Sequence, residues 1–444
     1  MIGFTLFIIL LSNTAISQQV SDFKSIDKIS YDLYLNSSWK ELIITGEEAL
    51  KQGVDYYYLR MRLGIASYEL EDYSNSIEHF RQALVFNSAD DVAKEYLYFS
   101  YKFYGREMEA HRVAQTFSRS LMRKYSYSTR GAIRSFSLNT TVGFIKDIDI
   151  IDQYSTDDLT EAEGMQSITS NFKLFTGGLE HDAGNILRFN HVVGYLTKNY
   201  MFYSQEEDET NLVSDARHGQ FQYYLSGRLL LGNGTYLVPA FHYLNVKIPS
   251  EAVMVGRGRS SYTVEHNIFK HNVATSLGLE RYTGKLKSGI SAGYSNINEQ
   301  QQLQGAFSLI WFPFGNLNLY SVSDITRYSV LPRYNNIERW ILTQDLGFRA
   351  FPGLWMELRG RWGEMENFAS SGALIVYNDI AMVKAQYGVT LIAPMFARRF
   401  ELVVNYNYTL QENRFLPDIN VADIPINSIE TNYHIITGGI KWKF

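Results

Sequence analysis

The last nine residues, Ile436-Thr437-Gly438-Gly439-Ile440-Lys441-Trp442-Lys443-Phe444, alternate in character. Ile440, Trp442 and Phe444 fall on one face; Gly439, Lys441 and Lys443 fall on the other. A period of two is that of a β-strand. An apolar face backed by lysines suits a wall with lipid outside and water inside. The same pattern recurs upstream. Phe136, Leu138, Thr140, Val142 and Phe144 alternate with Ser135, Ser137, Asn139, Thr141 and Gly143. Phe221, Tyr223, Leu225 and Leu229 alternate with Gln220, Gln222, Ser226 and Arg228. Val383, Ala385, Tyr387, Val389 and Leu391 stand against Lys384, Gln386, Gly388 and Thr390, and Phe400 to Tyr408 repeat the pattern against Glu401, Asn405, Asn407 and Thr409.

Counting such segments predicts fourteen strands over 135–444. Their connections fall into two kinds. Short ones hold turn residues: Gly232-Asn233-Gly234, Thr283-Gly284, Pro313 to Asn316 and Pro352-Gly353. Long ones are expected at 147–165, 198–216, 248–261, 328–338, 365–379 and 412–430. Short turns on one rim and long loops on the other predict a closed transmembrane barrel. An even strand count puts both barrel ends at the short-turn rim. A soluble sandwich would have to bury all of those outward Phe, Tyr and Leu side chains.

Composition agrees. Gly (32), Tyr (32) and Phe (27) are plentiful, Pro (8) is scarce and Cys is absent. Without Cys there is no disulfide framework and no thiolate site. The net charge of -5 argues against nucleic acid. Mean hydropathy is only -0.18, as expected when lipid-facing and lumen-facing residues alternate. One continuous apolar run, Phe4 to Leu11, precedes Ala15-Ile16-Ser17, which predicts a signal peptide over 1–17 with a mature start near Gln18. No Lys or Arg precedes that run.

Between 23 and 124 the texture is helical and repeats every 34 residues: 23–56, 57–90 and 91–124. Trp39, Tyr73 and Glu107 occupy one repeat position; Ala49, Ala83 and Phe117 another. The middle repeat carries Leu63-Gly64, Tyr68, Asp72-Tyr73, Phe80 and Ala83-Leu84, and resembles a tetratricopeptide (TPR) repeat. Small residues there let paired helices approach closely. The resulting division is a helical domain over 18–124, a linker over 125–134 and a barrel over 135–444. The fold class is therefore two-domain α + β: a short α-helical solenoid, then an antiparallel transmembrane β-barrel.

The terminal Ile440, Trp442 and Phe444 resemble the signal read by the machinery that assembles bacterial outer-membrane barrels. Signal peptide, short TPR segment and barrel together resemble the TPR-plus-barrel outer-membrane proteins. These include YaiO-like proteins, the Slam surface-lipoprotein export family and exopolysaccharide export porins. Trp362-Gly363, Asn367-Phe368 and Val376-Tyr377-Asn378-Asp379 are most similar to the YaiO-like barrel. The resemblance implies a Gram-negative outer membrane with the TPR segment in the periplasm. The partners it implies are membrane lipid and lipopolysaccharide, the barrel assembly machinery and a periplasmic protein docked by the TPRs.

No catalytic, cofactor or metal motif stands out; the nine His residues form no metal-spaced pair on a helix. Two acidic stretches, Asp147 to Glu163 and Glu206 to Glu209, read as solvated loops or as sites for cations that bridge lipopolysaccharide. Gly256-Arg257-Gly258-Arg259 lacks the context of a phosphate cradle. The lumen-facing positions hold eleven Lys and Arg against Glu280, Asp345, Glu357 and Glu401. Arg228, Arg339, Arg349, Arg359, Arg361 and Lys384 are the expected anion-interacting set, or else rungs of Arg–acid ladders. The expected function is non-enzymatic: export or surface display of a polysaccharide or protein, an anionic polymer or a surface polypeptide. A structural or adhesive barrel with an occluded lumen is the alternative, and a barrel enzyme acting on lipid or glycan the third.

Overall fold

The computed structural model describes residues 23–125, 132–146, 164–206, 209–255, 262–331, 337–379, 381–396, 399–414, 416–417 and 428–444. The N-terminal apolar run, the acidic stretch Asp147 to Glu163 and Gly256 to Arg259 lie outside these residues.

Seven helices come first: α1 (Phe23–Leu35), α2 (Trp39–Lys51), α3 (Tyr57–Glu69), α4 (Tyr73–Phe86), α5 (Asp91–Phe103), α6 (Glu107–Ala114) and α7 (Arg119–Lys124). The starts at 23, 57 and 91, and those at 39, 73 and 107, keep the 34-residue spacing of the sequence. Side-chain caps mark several of these starts. Asp72 accepts from the Asn75 amide and Asp90 from the Val92 amide, which satisfies orphan N–H groups of the first turn. Pairing is close because small residues sit at the crossings. A Cβ on Gly64 would stand 2.9 Å from the Phe80 ring, and Phe80 packs with buried Ala83 and Ala93. Ala83→Phe should overpack this pair and cost roughly 1–3 kcal/mol, read as a lower midpoint in thermal denaturation followed by helical circular dichroism.

The strands follow: β1 (Ile133–Ile145), β2 (Gly164–Ala183), β3 (Leu187–Glu206), β4 (Glu209–Gly232), β5 (Thr235–Val255), β6 (Tyr262–Thr283), β7 (Leu286–Ile297), β8 (Gln300–Trp311), β9 (Leu319–Val330), β10 (Ile337–Phe351) and β11 (Leu354–Met365). Two short strands, β12 (Phe368–Ala369) and β13 (Val376–Tyr377), precede β14 (Met382–Met395), β15 (Phe400–Arg414), the two-residue β16 (Leu416–Pro417) and β17 (Ser428–Lys443). Fourteen long strands form one antiparallel ring in chain order. It closes where β1 meets β17, with Phe136 opposite Trp442 and Phe144 opposite His434. Closure leaves no free edge, as hydrocarbon demands. The 13 residues of β1 extend about 43 Å, enough to cross an apolar band of about 25 Å at the usual tilt. Exposed apolar side chains ring the outside, among them Phe136, Tyr195, Phe221, Ile290, Phe307, Leu342, Val404 and Ile440.

The structure departs from the sequence reading in two of the expected loops. Stretches 198–216 and 248–261 are largely strand: β3 and β4 run on as a hairpin to Glu206 and Glu209, and β5 and β6 run on to Val255 and Tyr262. Their sequence hid them, because these stretches lack the apolar–polar alternation by which the other strands are read. A second departure is the 365–379 stretch, which folds into the barrel.

The helices sit on the short-turn rim. Tyr104 donates to the Gly284 carbonyl (2.8 Å), the Ser74 amide to the Gly315 carbonyl (3.1 Å), Arg81 to Asn233 (2.7 Å) and Gln115 to Asn185 (2.6 Å). Lys285 pairs with Asp72 at 2.8 Å. Apolar contacts complete the seam: Phe312 packs with Tyr104 and Leu317, and Met108 with Leu230 and Tyr236.

Candidate functional site

The site is the lumen and what fills it. After β11 the chain turns inward. Gly363, at φ +124°, lies within a register shift between Trp362 and Met365. The inward loop 366–379 folds on itself through the β12–β13 pair and a single 3-10 turn at Ser371–Ala373. Its tip reaches the far wall: Tyr224 donates to the Gly372 carbonyl (3.1 Å) and His242 Nδ1 to the Ala373 carbonyl (2.9 Å). The roots are β11 and β14, and the tip rests on β4 and β5, across the ring. The flanks are tied as well. Asn298 donates to Asn367 (2.7 Å), Asn378 to Gln220 (2.7 Å) and Thr169 to Asp379 (2.8 Å), while Lys198 pairs with Asp379 at 3.2 Å. Phe368 packs on buried Tyr328, Ile341, Met365 and Val383. The helices thus stand at one rim, and this loop crosses the lumen from β11 and β14 to β4 and β5.

Each residue of the expected anion-interacting set has a protein contact. Arg228 pairs with Glu280 (2.8 Å) and lies over the Tyr236 ring. Arg339 pairs with Glu366 of the loop at 2.9 Å, and Arg359 with Asp345 in a two-pronged bond of 2.7 and 2.9 Å. Arg361 donates to Tyr377 of the loop (2.6 Å), and Arg349 lies over Trp355. Lys384 departs from the lumen assignment. A register shift between Val383 and Ala385 turns Val383 inward, against Phe368, and brings Lys384 to the outer face with Glu412 (2.6 Å) and Glu430 (3.3 Å). One residue of slip exchanges the faces of a strand. Sequence reasoning missed inward acids that bind cations: Glu180 holds Lys441 at 3.0 Å and Asp182 holds Arg188 at 2.6 Å. They stand near the ends of strands, where alternation is weakest. Ile440, Trp442 and Phe444 lie exposed on the outer face, with the Trp442 and Phe444 rings stacked.

The helical domain has a cleft of about 310 Å³ between α1 and α3, lined by Asp27, Tyr31, Tyr34, Tyr58, Met61, Arg62 and Ile65. Arg62 is held by Asp27 at 2.7 Å, and its guanidinium lies over the rings of Tyr31 and Tyr58. That bond holds the Asp27 carboxyl below its ordinary range. At the seam with the barrel, burial and then the Arg134 guanidinium, 3.1 Å away, push the His111 imidazole below its usual 6.5. The undocked state therefore binds more protons than the docked one between the lowered value and 6.5. Docking is at full strength above 6.5 and weakens as pH falls through that window. A domain-release assay by limited proteolysis at pH 7.5 and 5.5 should show faster release at 5.5, and His111→Asn should flatten that difference.

Among the described residues no group of three or more His, Asp or Glu is placed to hold a metal ion. No helix there is long and apolar enough to cross a membrane, which says nothing of strands. Fold and lumen together define an outer-membrane-type β-barrel. No family model and no curated protein matches the chain. Solved structures similar to it include the TodX monoaromatic hydrocarbon channel deltaS2 mutant, 10% identical, covering 74% of this chain and 93% of that one at a TM-score of 0.43. The Pseudomonas putida toluene transporter TodX is 8% identical over 72% of this chain and 91% of its own, at 0.40. A mutant of MamA matches 22% of this chain and 70% of its own, at 19% identity and a TM-score of 0.21.

Proposed function

We propose that this protein is an outer-membrane conduit, closed at rest, that serves export or surface display of a polysaccharide or polypeptide. The inward loop 366–379 carries the reading. Its attachments are hydrogen bonds, ion pairs such as Lys198–Asp379 and Arg339–Glu366, and small packed surfaces, all distributed over many strands, which suits a part that can leave. The helical domain, with its TPR-like spacing, faces the periplasm in this reading, and its α1–α3 cleft docks a periplasmic protein. The sequence resemblance of Trp362-Gly363, Asn367-Phe368 and Val376 to Asp379 to YaiO-like barrels, if it reflects kinship, implies the same class. A second reading has its own support: with lumen cations such as Arg228, Arg339 and Arg359 paired with acids and a loop crossing the lumen, the barrel could serve as a structural or adhesive surface protein.

Planar-bilayer recording separates the two. The full chain should conduct little, and a variant with Ser370–Leu374 replaced by two glycines should conduct steadily at many times that level. A shortened variant that folds, shows the heat-modifiable migration of a barrel, and still conducts nothing would favour the structural reading.

A further inference from the structure

One row of the wall under the loop tip carries no charge. Following the register across β4 to β8 gives one inward row: Tyr224, His242, Ala274, Ser295 and Gln302. Asn272 and Gln304 stand beside it on the same face. The middle of the row is small, and Ala373 of the tip packs there against Ala274 and Ile297. Charge on the same strands stands several residues away along them, where Glu280 pairs with Arg228 at 2.8 Å and Lys287 at 3.0 Å.

Several polar groups of this wall lack a hydrogen-bond partner among the described residues: His242 Nε2, Asn272 Nδ2, Gln302 Nε2 and Gln304 Oε1. Yet His242 is 3% exposed, and Asn272 and Gln302 are 1% exposed each. Buried polar groups are as a rule bonded, so a concentration of unbonded ones on one face calls for a partner. The set mixes donors with acceptors. The row already shows what it accepts, since Tyr224 and His242 bind the neutral carbonyl oxygens of Gly372 and Ala373. Ala373 sits at φ +58°, a region costly for a residue with a Cβ, so the tip is held against local strain.

We propose that this row is the binding track for a neutral, hydroxyl-rich chain, a saccharide, and that the loop tip occupies the track in the closed state. The proposal rests on the conduit reading and names its cargo class. Sugar hydroxyls both donate and accept, so one ligand satisfies Asn272 and Gln302 as well as Gln304 and His242. An anionic chain finds no cation in this row, and the cations further along the same strands, Arg228 and Lys287, are already paired with Glu280.

The test uses the glycine-shortened variant in planar bilayers. Three probes of similar size are compared: maltohexaose, its acidic counterpart hexagalacturonate, and a polyethylene glycol as a control for volume alone. Maltohexaose should interrupt the current saturably and better than either other probe. Gln302→Leu and Asn272→Leu should each raise the half-blocking concentration about fivefold, the weight of one net hydrogen bond. Stronger block by hexagalacturonate, block no better than the glycol's, or no effect of the two substitutions would overturn the track. If the shortened variant folds but does not conduct, the conduit reading fails by itself. Titration calorimetry of maltohexaose on the same detergent-solubilised barrel then decides the track: saturable heat lost in Gln302→Leu supports it, and no heat overturns it.

Discussion

Replacing Glu109 by Leu is expected to unseat the helical domain from the barrel. Arg106 and Glu109 are 7% and 6% exposed and bond at 2.7 and 2.9 Å. Tyr236 of the barrel wall donates its hydroxyl to the same carboxylate. The Arg106 guanidinium also lies over the rings of Tyr101 (4.7 Å) and Tyr282 (5.1 Å), the second of which belongs to the barrel. Removing the carboxylate strands a buried cation and a buried hydroxyl together, a change that typically costs about 3–5 kcal/mol. The seam should open, with cleavage between helices at protease levels the parent chain resists. The double variant Arg106→Met with Glu109→Leu should recover the part of the loss due to the stranded cation, because apolar replacement of both partners is often neutral, while the Tyr236 hydroxyl stays unpaired. Wild-type protease resistance in the single variant would remove the pair from the seam's energetics.

Gly363→Val should be nearly as damaging, for a backbone reason. Gly363 lies at φ +124°, where a β-branched residue is strained by about 1–3 kcal/mol, and a Cβ there would collide with the Trp340 carbonyl oxygen. It sits where β11 loses register with β14 and the chain turns toward the lumen. The substitution should therefore loosen the upper β10–β11 pairing and release the loop. A lower fraction of heat-modifiable barrel is the expected result, with raised conductance in the molecules that fold. Gly353, at φ +89° in a hairpin turn with nothing within 4 Å of a Cβ, is a fitting control. If Val at 363 is as mild as Ala at 353, the bulge does not direct the loop.

The division between the legible and the hidden follows the range of the interactions. Alternation such as that of Phe136 to Phe144, or Ile436 to Phe444, is written along the chain because each strand meets lipid on one side and the lumen on the other. The 34-residue spacing is likewise local, since each helix pair contacts chiefly its neighbours. The helical start, the strand count, the rim bearing short turns and the outward place of Trp442 and Phe444 are therefore legible along the chain. The path of residues 366–379 shows only in the folded ring, because their partners Thr169, Lys198, Gln220, Tyr224 and His242 lie far back in the chain. The folded ring alone decided the face of Lys384, which depends on a one-residue shift that no composition announces. It also decided that cations counted along single strands are neutralised from neighbouring strands, as Arg188 is by Asp182 and Arg359 by Asp345. A repeating pattern needs only its own strand to be read; a contact across the lumen exists only once the ring has closed.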